Sequence, residues 1–589
     1  MNHVNKRRDG NPISPARMST GLSQWPGILV ALVLLWGQEK AVAAPVVPPV
    51  GGQILQQNAP NINALPSLKG PSLVIPLAGP LRSSSRLRIP VTKIVVDGNR
   101  LFPEARLHPL VASGEGKSLT LSQIDALAEK ISAFYRRHGY PLDRAIVPPQ
   151  TVKGGVLHLR VLEARYGKIR LHNQSRITNE VLDRTLSDIS SGDPVAQDPL
   201  DRTLLFLSDI PGVNVNSVLS PGSSPGTSDL SVTATPTPVL TGSASIDDYG
   251  NPYTGAMRLS GGLVANSPFH RGDLLTVNAV TSGNGFTYGR LGYEILVDGW
   301  GTRVGAAYSA MTYRLGGGFS PIPYESGSAL AALGANGNSQ IWSLYLTQPI
   351  VRSRTSNLSA RLGWDHYFLS DTFSGISGAA NNRGLDLFTM SLSGNSRDTW
   401  GGGGITQGAV AFTPMLVSPD PGSVNPANPY GANTEGYRSR WTLSASRLQR
   451  LWSDRDFLNV EASGQLATGA LDPSQQMIMG GPDTVRSYME GALFGDEGYE
   501  ATLEWQHNLA LSWPGLWQSK VFWDSGGVAT YTIPTNFVNL TGPGIGGNWT
   551  SPAQDWTGKL ELGFPVGPLP SQIGYASPVQ VWGQIQKTF

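Results

Sequence analysis

From residue 240 to the C-terminus, apolar and polar residues alternate in segment after segment. In Ala501-Thr502-Leu503-Glu504-Trp505-Gln506 the odd positions are apolar and the even ones polar. Leu275 to Ala279 and Trp441 to Ser446 behave alike, and Leu458 to Ser463 and Leu560 to Phe564 do so with parity shifted. A period of two predicts pleated strands with one apolar face. A soluble β-sandwich would alternate in the same way. Three features favour a barrel in lipid: the long Gly-, Asn- and Pro-rich stretches at 316–338 and 418–436, Trp and Tyr near strand ends, and an export signal. Past the N-terminal region no stretch is apolar enough for a membrane helix, and lipid tolerates no unpaired backbone, so the barrel must close. Residues 240–589, at ~10 residues per strand plus turns, accommodate roughly sixteen antiparallel strands.

Upstream the pattern changes twice. Residues 88–165 begin with Val91 to Val96, a β-branched strand, and continue to Thr120-Leu121-Ser122-Gln123, a capping box. Ile124, Leu127, Ile131 and Phe134 follow at helical spacing, and Gly139 ends the helix. Strands are expected at 144–148 and 156–162. The same order recurs in 166–239: a strand at 168–171, helices at 177–186 and 199–207, and strands at 213–219 and 229–235. A repeat of roughly 75 residues exceeds a solenoid unit, so two tandem small α+β domains are expected.

The first 43 residues read as a signal peptide. Basic residues through Arg17 precede the apolar run 25–36, and the small-residue pattern ending at Ala43 and Ala44 suits cleavage there. Translation starting at Met18 would remove the charged flank. Residues 44–87 form a Pro-rich linker in which 51–58 is a possible short plug helix.

Composition narrows the function. Forty-four Lys and Arg against 42 Asp and Glu give a net charge of +2, which is not the footprint of a nucleic-acid binder. The absence of cysteine removes disulfides, thiolate metal sites and cysteine nucleophiles together. Gly222 to Gly226 fits G-x-S-x-G, but it falls in a turn between strands, whereas a nucleophile elbow needs a strand-to-helix junction. Gly116-Lys117-Ser118 lacks the upstream glycine of a phosphate loop, since position 111 is valine. The eight histidines show no metal spacing. The reading is a non-enzyme without cofactor or metal.

Val485-Arg486-Ser487-Tyr488, between Gly480-Gly481 and Gly495-Asp496-Glu497-Gly498, resembles the V-R-G-Y/F loop motif of the Omp85 superfamily. Phe522-Trp523-Asp524-Ser525-Gly526 resembles its F-x-D-x-G strand motif. The resemblance implies a loop folded back into the lumen, with Arg486 meeting Asp524; a guanidinium fork binds a carboxylate bidentately, as lysine cannot. Ser487 stands where the family usually has glycine. Two modules resembling POTRA domains before such a barrel are similar to the two-partner secretion transporters (TpsB; the ShlB, FhaC and HecB family). That resemblance implies an outer-membrane transporter with periplasmic modules, monomeric in lipid, which secretes a haemolysin- or adhesin-like exoprotein without nucleotide. Phe589, a terminal aromatic on an amphipathic strand, resembles the signal read by the barrel assembly machinery. The alternative within the superfamily is an outer-membrane protein assembly factor, which usually carries more POTRA modules than two.

Overall fold

The structure, a computed structural model, describes residues 49–58, 71–74, 87–316, 334–375, 379–420, 434–531, 537–573 and 576–589. The expected signal peptide, with Ala43 and Ala44, lies outside the described residues. The linker contributes a helix, α1 (Gly51–Asn58), and a short strand, β1 (Ser72–Val74).

The first module runs β2 (Arg88–Val91), β3 (Lys93–Asp97), α2 (Glu104–Val111), β4 (Lys117–Thr120), α3 (Leu121–Arg137), β5 (Arg144–Ile146) and β6 (Val156–Leu162). The strand expected at 91–96 divides at Thr92, whose N–H donates to Gly155 O at 2.8 Å. Its first part pairs with β4, while β3 joins the sheet β3-β6-β5. α3 carries the expected capping box: Gln123 N donates to Thr120 Oγ1, and Thr120 N to Gln123 Oε1. Its apolar face, Ile124, Leu127 and Ile131, is buried with Ile94, Leu157 and Leu159. The sequence reading did not delimit α2, a short helix whose interior Pro109 removes a backbone donor.

The second module comprises β7 (Arg165–Asn173), α4 (Asn179–Leu186), α5 (Gln197–Ser208), β8 (Val213–Pro221) and β9 (Thr227–Pro236). Its sheet has the order β1-β8-β9-β7, so the linker strand β1 lies parallel to β8 and occupies that edge. Leu182, Leu204, Val215, Leu230 and Val232 are among its core residues.

The barrel begins with β10 (Leu240–Asp247), β11 (Arg258–Asn266), β12 (Leu274–Thr281), β13 (Phe286–Leu296) and β14 (Arg303–Arg314). It continues with β15 (Ala335–Arg352), β16 (Ser356–Phe373), β17 (Ala379–Asp398), β18 (Gly404–Pro419), β19 (Gly436–Arg450) and β20 (Asp456–Ala467). A two-stranded hairpin, β21 (Met477–Met479) with β22 (Leu493–Gly495), then interrupts the wall. The ring is completed by β23 (Glu497–Leu509), β24 (Leu516–Ala529), β25 (Val538–Thr550), β26 (Trp556–Gly563) and β27 (Gln580–Thr588). Sixteen antiparallel strands close through β10 and β27, in register from Ser243↔Thr588 to Asp247↔Gln584. The alternation now has a direction: Leu503, Trp505, Val521 and Trp523 face outward, whereas Thr502, Glu504, Phe522 and Asp524 are buried inside. Lipid covers the outward apolar face, so its accessibility carries no hydration cost.

The second module docks on the end of the barrel from which β10 rises. Arg352 donates from Nε and Nη2 to the two Asp209 carboxylate oxygens at 2.7 and 2.8 Å, and Arg354 Nε reaches Asp201 Oδ1 at 2.6 Å. Leu296 at the end of β13 joins the module's core.

Candidate functional site

The segment 468–496 connects β20 to β23 at the barrel end away from the modules and folds back into the lumen. Gly480 and Gly481 turn it at φ 88° and 120°, backbone that side-chain-bearing residues rarely adopt. Val485 and Tyr488 are buried beside Met479, Leu493, Val528 and Leu540, so an apolar cluster seats the loop against the wall.

Between them, Arg486 spends its donors on three carboxylates. Nε and Nη2 take Asp524 Oδ2 and Oδ1, both at 2.8 Å, and the backbone N of Arg486 also donates to Oδ2 at 3.1 Å. Nη1 reaches Glu504 Oε2 at 2.6 Å and Glu561 Oε1 at 3.0 Å. The guanidinium lies 3.4 Å from the centroid of Phe522, and Trp582 Nε1 donates to the Arg486 carbonyl at 2.7 Å. Lys520 and Lys559 each hold Glu561 at 2.9 Å. Three cations thus face three carboxylates. Buried charge survives only in such a compensated, hydrogen-bonded set.

The wall is shaped to receive the loop. A Cβ at Gly563 would meet the Arg486 carbonyl, one at Gly542 would meet Ser487 Oγ, and one at Gly526 would meet Met479 Sδ at 2.6 Å. Ser487, in place of the family's glycine, is accommodated by the missing side chain of Gly542, and its Oγ donates to Pro543 O at 3.4 Å. Gly526 of the strand motif serves close approach rather than a turn.

A second cluster lies on another part of the wall. Arg383 on β17 donates to Asp371 on β16 at 2.9 Å and pairs with Asp472 of the loop. Asp371 also accepts from Tyr313 Oη at 2.7 Å and from Gly51 N, at the start of α1, at 3.1 Å. α1 is inside the barrel: Ile54 and Leu55 are buried with Leu369, Leu385, Met415 and Leu471. Gln56 donates to Ser474 O and Asn58 accepts from Arg258 at 2.9 Å. The short plug helix expected at 51–58 is therefore present, and it shares the lumen with loop 468–496.

The structure brings Val485, Arg486, Ser487, Tyr488, Phe522, Asp524 and Gly526 into one site. Sequence reasoning missed Glu504 and Glu561 as partners, although each sits at a polar position of an alternating segment, and it missed Lys520, Lys559, Trp582 and the whole Arg383 cluster. Phe589 ends the chain beside β10, exchanging backbone hydrogen bonds with Gly242 at 2.9 and 3.0 Å. Gly222 to Gly226 lies at the β8–β9 turn, where Thr227 Oγ1 donates to Ser224 O.

Residues 89–164 match the ShlB-type POTRA domain, and residues 226–548, more than half the chain, match the haemolysin secretion/activation protein family ShlB/FhaC/HecB. The heme/hemopexin transporter protein HuxB of Haemophilus influenzae strain 86-028NP is 27% identical over 518 residues, covering 85% of this chain and 88% of that protein. The outer membrane transporter CdiB of Dickeya dadantii is 26% identical over 452 residues, covering 72% and 75%. The solved structure of CdiB from Escherichia coli aligns over 91% of this chain and 95% of its own, with a TM-score of 0.66 and 21% identity. BamA from Haemophilus ducreyi lacking POTRA domains 1–3 aligns over 85% of this chain and all of its own, at a TM-score of 0.50 and 13% identity, a likeness of fold alone. The chain belongs to the ShlB/FhaC/HecB family of the Omp85 superfamily, and is an outer-membrane transporter of two-partner secretion that moves a partner exoprotein from the periplasm to the cell surface.

Proposed function

We propose that Arg486 and Asp524 form the latch of this transporter: they pin loop 468–496 in the resting lumen, and arrival of the partner exoprotein releases it. The observation that carries this reading is the placement of one loop arginine on carboxylates from three strands, β23, β24 and β26. A loop held only for rigidity would need no such concentration of charge in a lumen that must clear for a polypeptide to pass.

The partner, a large haemolysin- or adhesin-like protein, arrives unfolded and is captured by β-augmentation on the periplasmic modules. The edges of the first sheet, β3 and β5, support such capture; in the second, the β8 edge already holds β1 and β7 forms the other edge. Folding of the partner outside the cell opposes back-sliding and replaces nucleotide as the driving force. The transporter acts as a monomer in outer-membrane lipid, and the barrel assembly machinery receives it through β27.

Export is tested by deleting this chain and measuring the partner in the medium. Exchanging charges between Arg486 and Asp524 is a poor test of the latch, because an acidic residue at 486 would face Glu504 and Glu561. Arg486→Ala is the sharper one. As a latch, it raises the resting ion conductance of the purified, folded barrel and lowers secretion per molecule. If secretion per folded molecule matches wild type, Arg486 only stabilises the wall and the latch is wrong.

A further inference from the structure

Between the loop and the second module the lumen keeps a cavity of about 1180 Å³, lined by charges that play no part in either arginine cluster. On one wall, Arg303 pairs with Glu294 at 3.0 Å. Arg290 is bonded to Ser309 Oγ at 3.1 Å and Arg361 lies 3.9 Å over the Tyr345 ring; the carboxylates beside them are Asp365 and the Glu294 already held by Arg303, so this wall stays net positive. On the other wall Glu461 accepts from Asn459 at 2.7 Å and Glu500 from Ser463 at 3.2 Å; Asp483 of the loop lines the same cavity. None of these three carboxylates has an ion-pair partner among the described residues. β13, bearing Arg290, and β23, bearing Glu500, stand eight places apart in the ring of sixteen, on opposite sides.

We propose that this part of the lumen is a two-signed slot, positive at Arg290 and Arg361 and negative at Glu461, Glu500 and Asp483, which orients the exported chain by a field across the pore. Each wall's potential reaches about 8 Å into the cavity at physiological salt, so a chain threading between the walls meets both signs. Low-dielectric walls focus the field. An extended polypeptide points successive side chains to opposite faces, so a segment with acidic residues on one face and basic ones on the other enters in a single orientation. Loop withdrawal removes Asp483 but leaves the four strand-borne charges, and the slot persists while the pore conducts cargo. It rests on the secretion path, not on the latch.

The chain has no cysteine, so introduced thiols are unique reporters. Ser359→Cys, two residues from Arg361 on β16, and Ser463→Cys, two from Glu461 on β20, both line the cavity. In the full-length protein in liposomes, each is modified with anionic sulfonatoethyl and cationic trimethylammonioethyl methanethiosulfonate, with rates scaled to those of a free thiol. The anionic-to-cationic rate ratio is expected to be about tenfold higher at 359 than at 463, to fall toward equality in 1 M salt, and to invert at neither site. Arg361→Gln abolishes the excess at 359, and Glu461→Gln with Glu500→Gln abolishes it at 463. Equal ratios at the two sites, or thiols that react with neither reagent, overturn the slot. A decapeptide of alternating Glu and Lys is expected to protect both thiols at least threefold better than one with five Glu followed by five Lys. Equal protection overturns the orienting role.

Discussion

Two arginines, equally buried in the lumen at 6% exposure each, hold the resting pore filled by opposite arrangements. Arg486 is carried by the loop and grips carboxylates of the wall; Arg383 is carried by the wall and grips Asp472 of the loop. The Arg486 cluster balances its charge with Lys520 and Lys559, so it is complete whenever the loop is home. The Arg383 cluster sets one cation against Asp371 and Asp472, and Asp371 relies on Tyr313 and on the N-terminal backbone of α1 for its remaining partners. A helix N-terminus carries partial positive charge, so α1 is part of that site's compensation. One cluster is therefore a self-sufficient anchor, and the other depends on helix α1.

The largest test of this contrast is Arg486→Ala, which strands three buried carboxylates beside two lysines. Removing one partner of a buried ion pair costs on the order of 3–5 kcal/mol, so the folded barrel, followed by heat-modifiable gel mobility, loses stability and secretion falls at least about tenfold. Arg486→Lys separates geometry from charge. A compact ammonium cannot span Asp524, Glu504 and Glu561 at once, and a loss of about 1–3 kcal/mol is expected by the same assay. Asp472→Asn weakens the other cluster without stranding an anion. The resting conductance in planar bilayers should rise severalfold while secretion stays within about twofold of wild type; unchanged conductance would show that Arg383 plays no part in keeping the lumen filled.

Asp143 is the control for both, a buried carboxylate with no ion pair among the described residues, Arg165 acting on it only from a distance. It lies where the two modules meet; its Oδ1 accepts from Ala164 N at 2.8 Å and its Oδ2 has no partner among the described residues. Burial, with Glu163 adding to it, pushes its pKa up to about 7. The folded state then holds the proton more tightly than the unfolded chain, whose carboxylate titrates near 4. Stability contributed by this group is therefore full below about pH 4 and falls as pH rises to about 7. Asp143→Asn should flatten that slope and stabilise the modules at pH 7.5 by on the order of 1–2 kcal/mol, read from proteolysis rates between pH 5 and 8. The smallest effect belongs to Ser487→Gly. Gly542 already makes room for the hydroxymethyl group, and a change below about 1 kcal/mol is expected in the gel assay.

Legibility followed the range of the interaction. The capping box at Thr120 and the apolar face of α3 are local and were readable residue by residue. The Arg486–Asp524 pairing was readable because two short motifs mark it, although 38 residues separate its members. Asp371, Arg383 and Asp472 carry no motif. They meet because strand register, a loop and a linker helix converge, and nothing in the spacing of those residues announces it. The division at Thr92 was hidden in the same way, since a backbone bond to Gly155, 63 residues on, splits an otherwise uniform strand.

By itself the sequence determined that a period-two apolar face runs through the C-terminal 350 residues and that two small α+β modules precede it, both consequences of local periodicity. That the arginine motif meets the acidic strand motif was implied by the family resemblance, and it agrees with the rule that such charges are not buried alone. Only the tertiary structure decided that Glu504 and Glu561 share Arg486, that the two-turn helix α1 lies in the lumen, and that β1 occupies the edge of the second sheet. Ring closure sets which inward side chains become neighbours, and backbone pairing at a sheet edge leaves no mark in side-chain order.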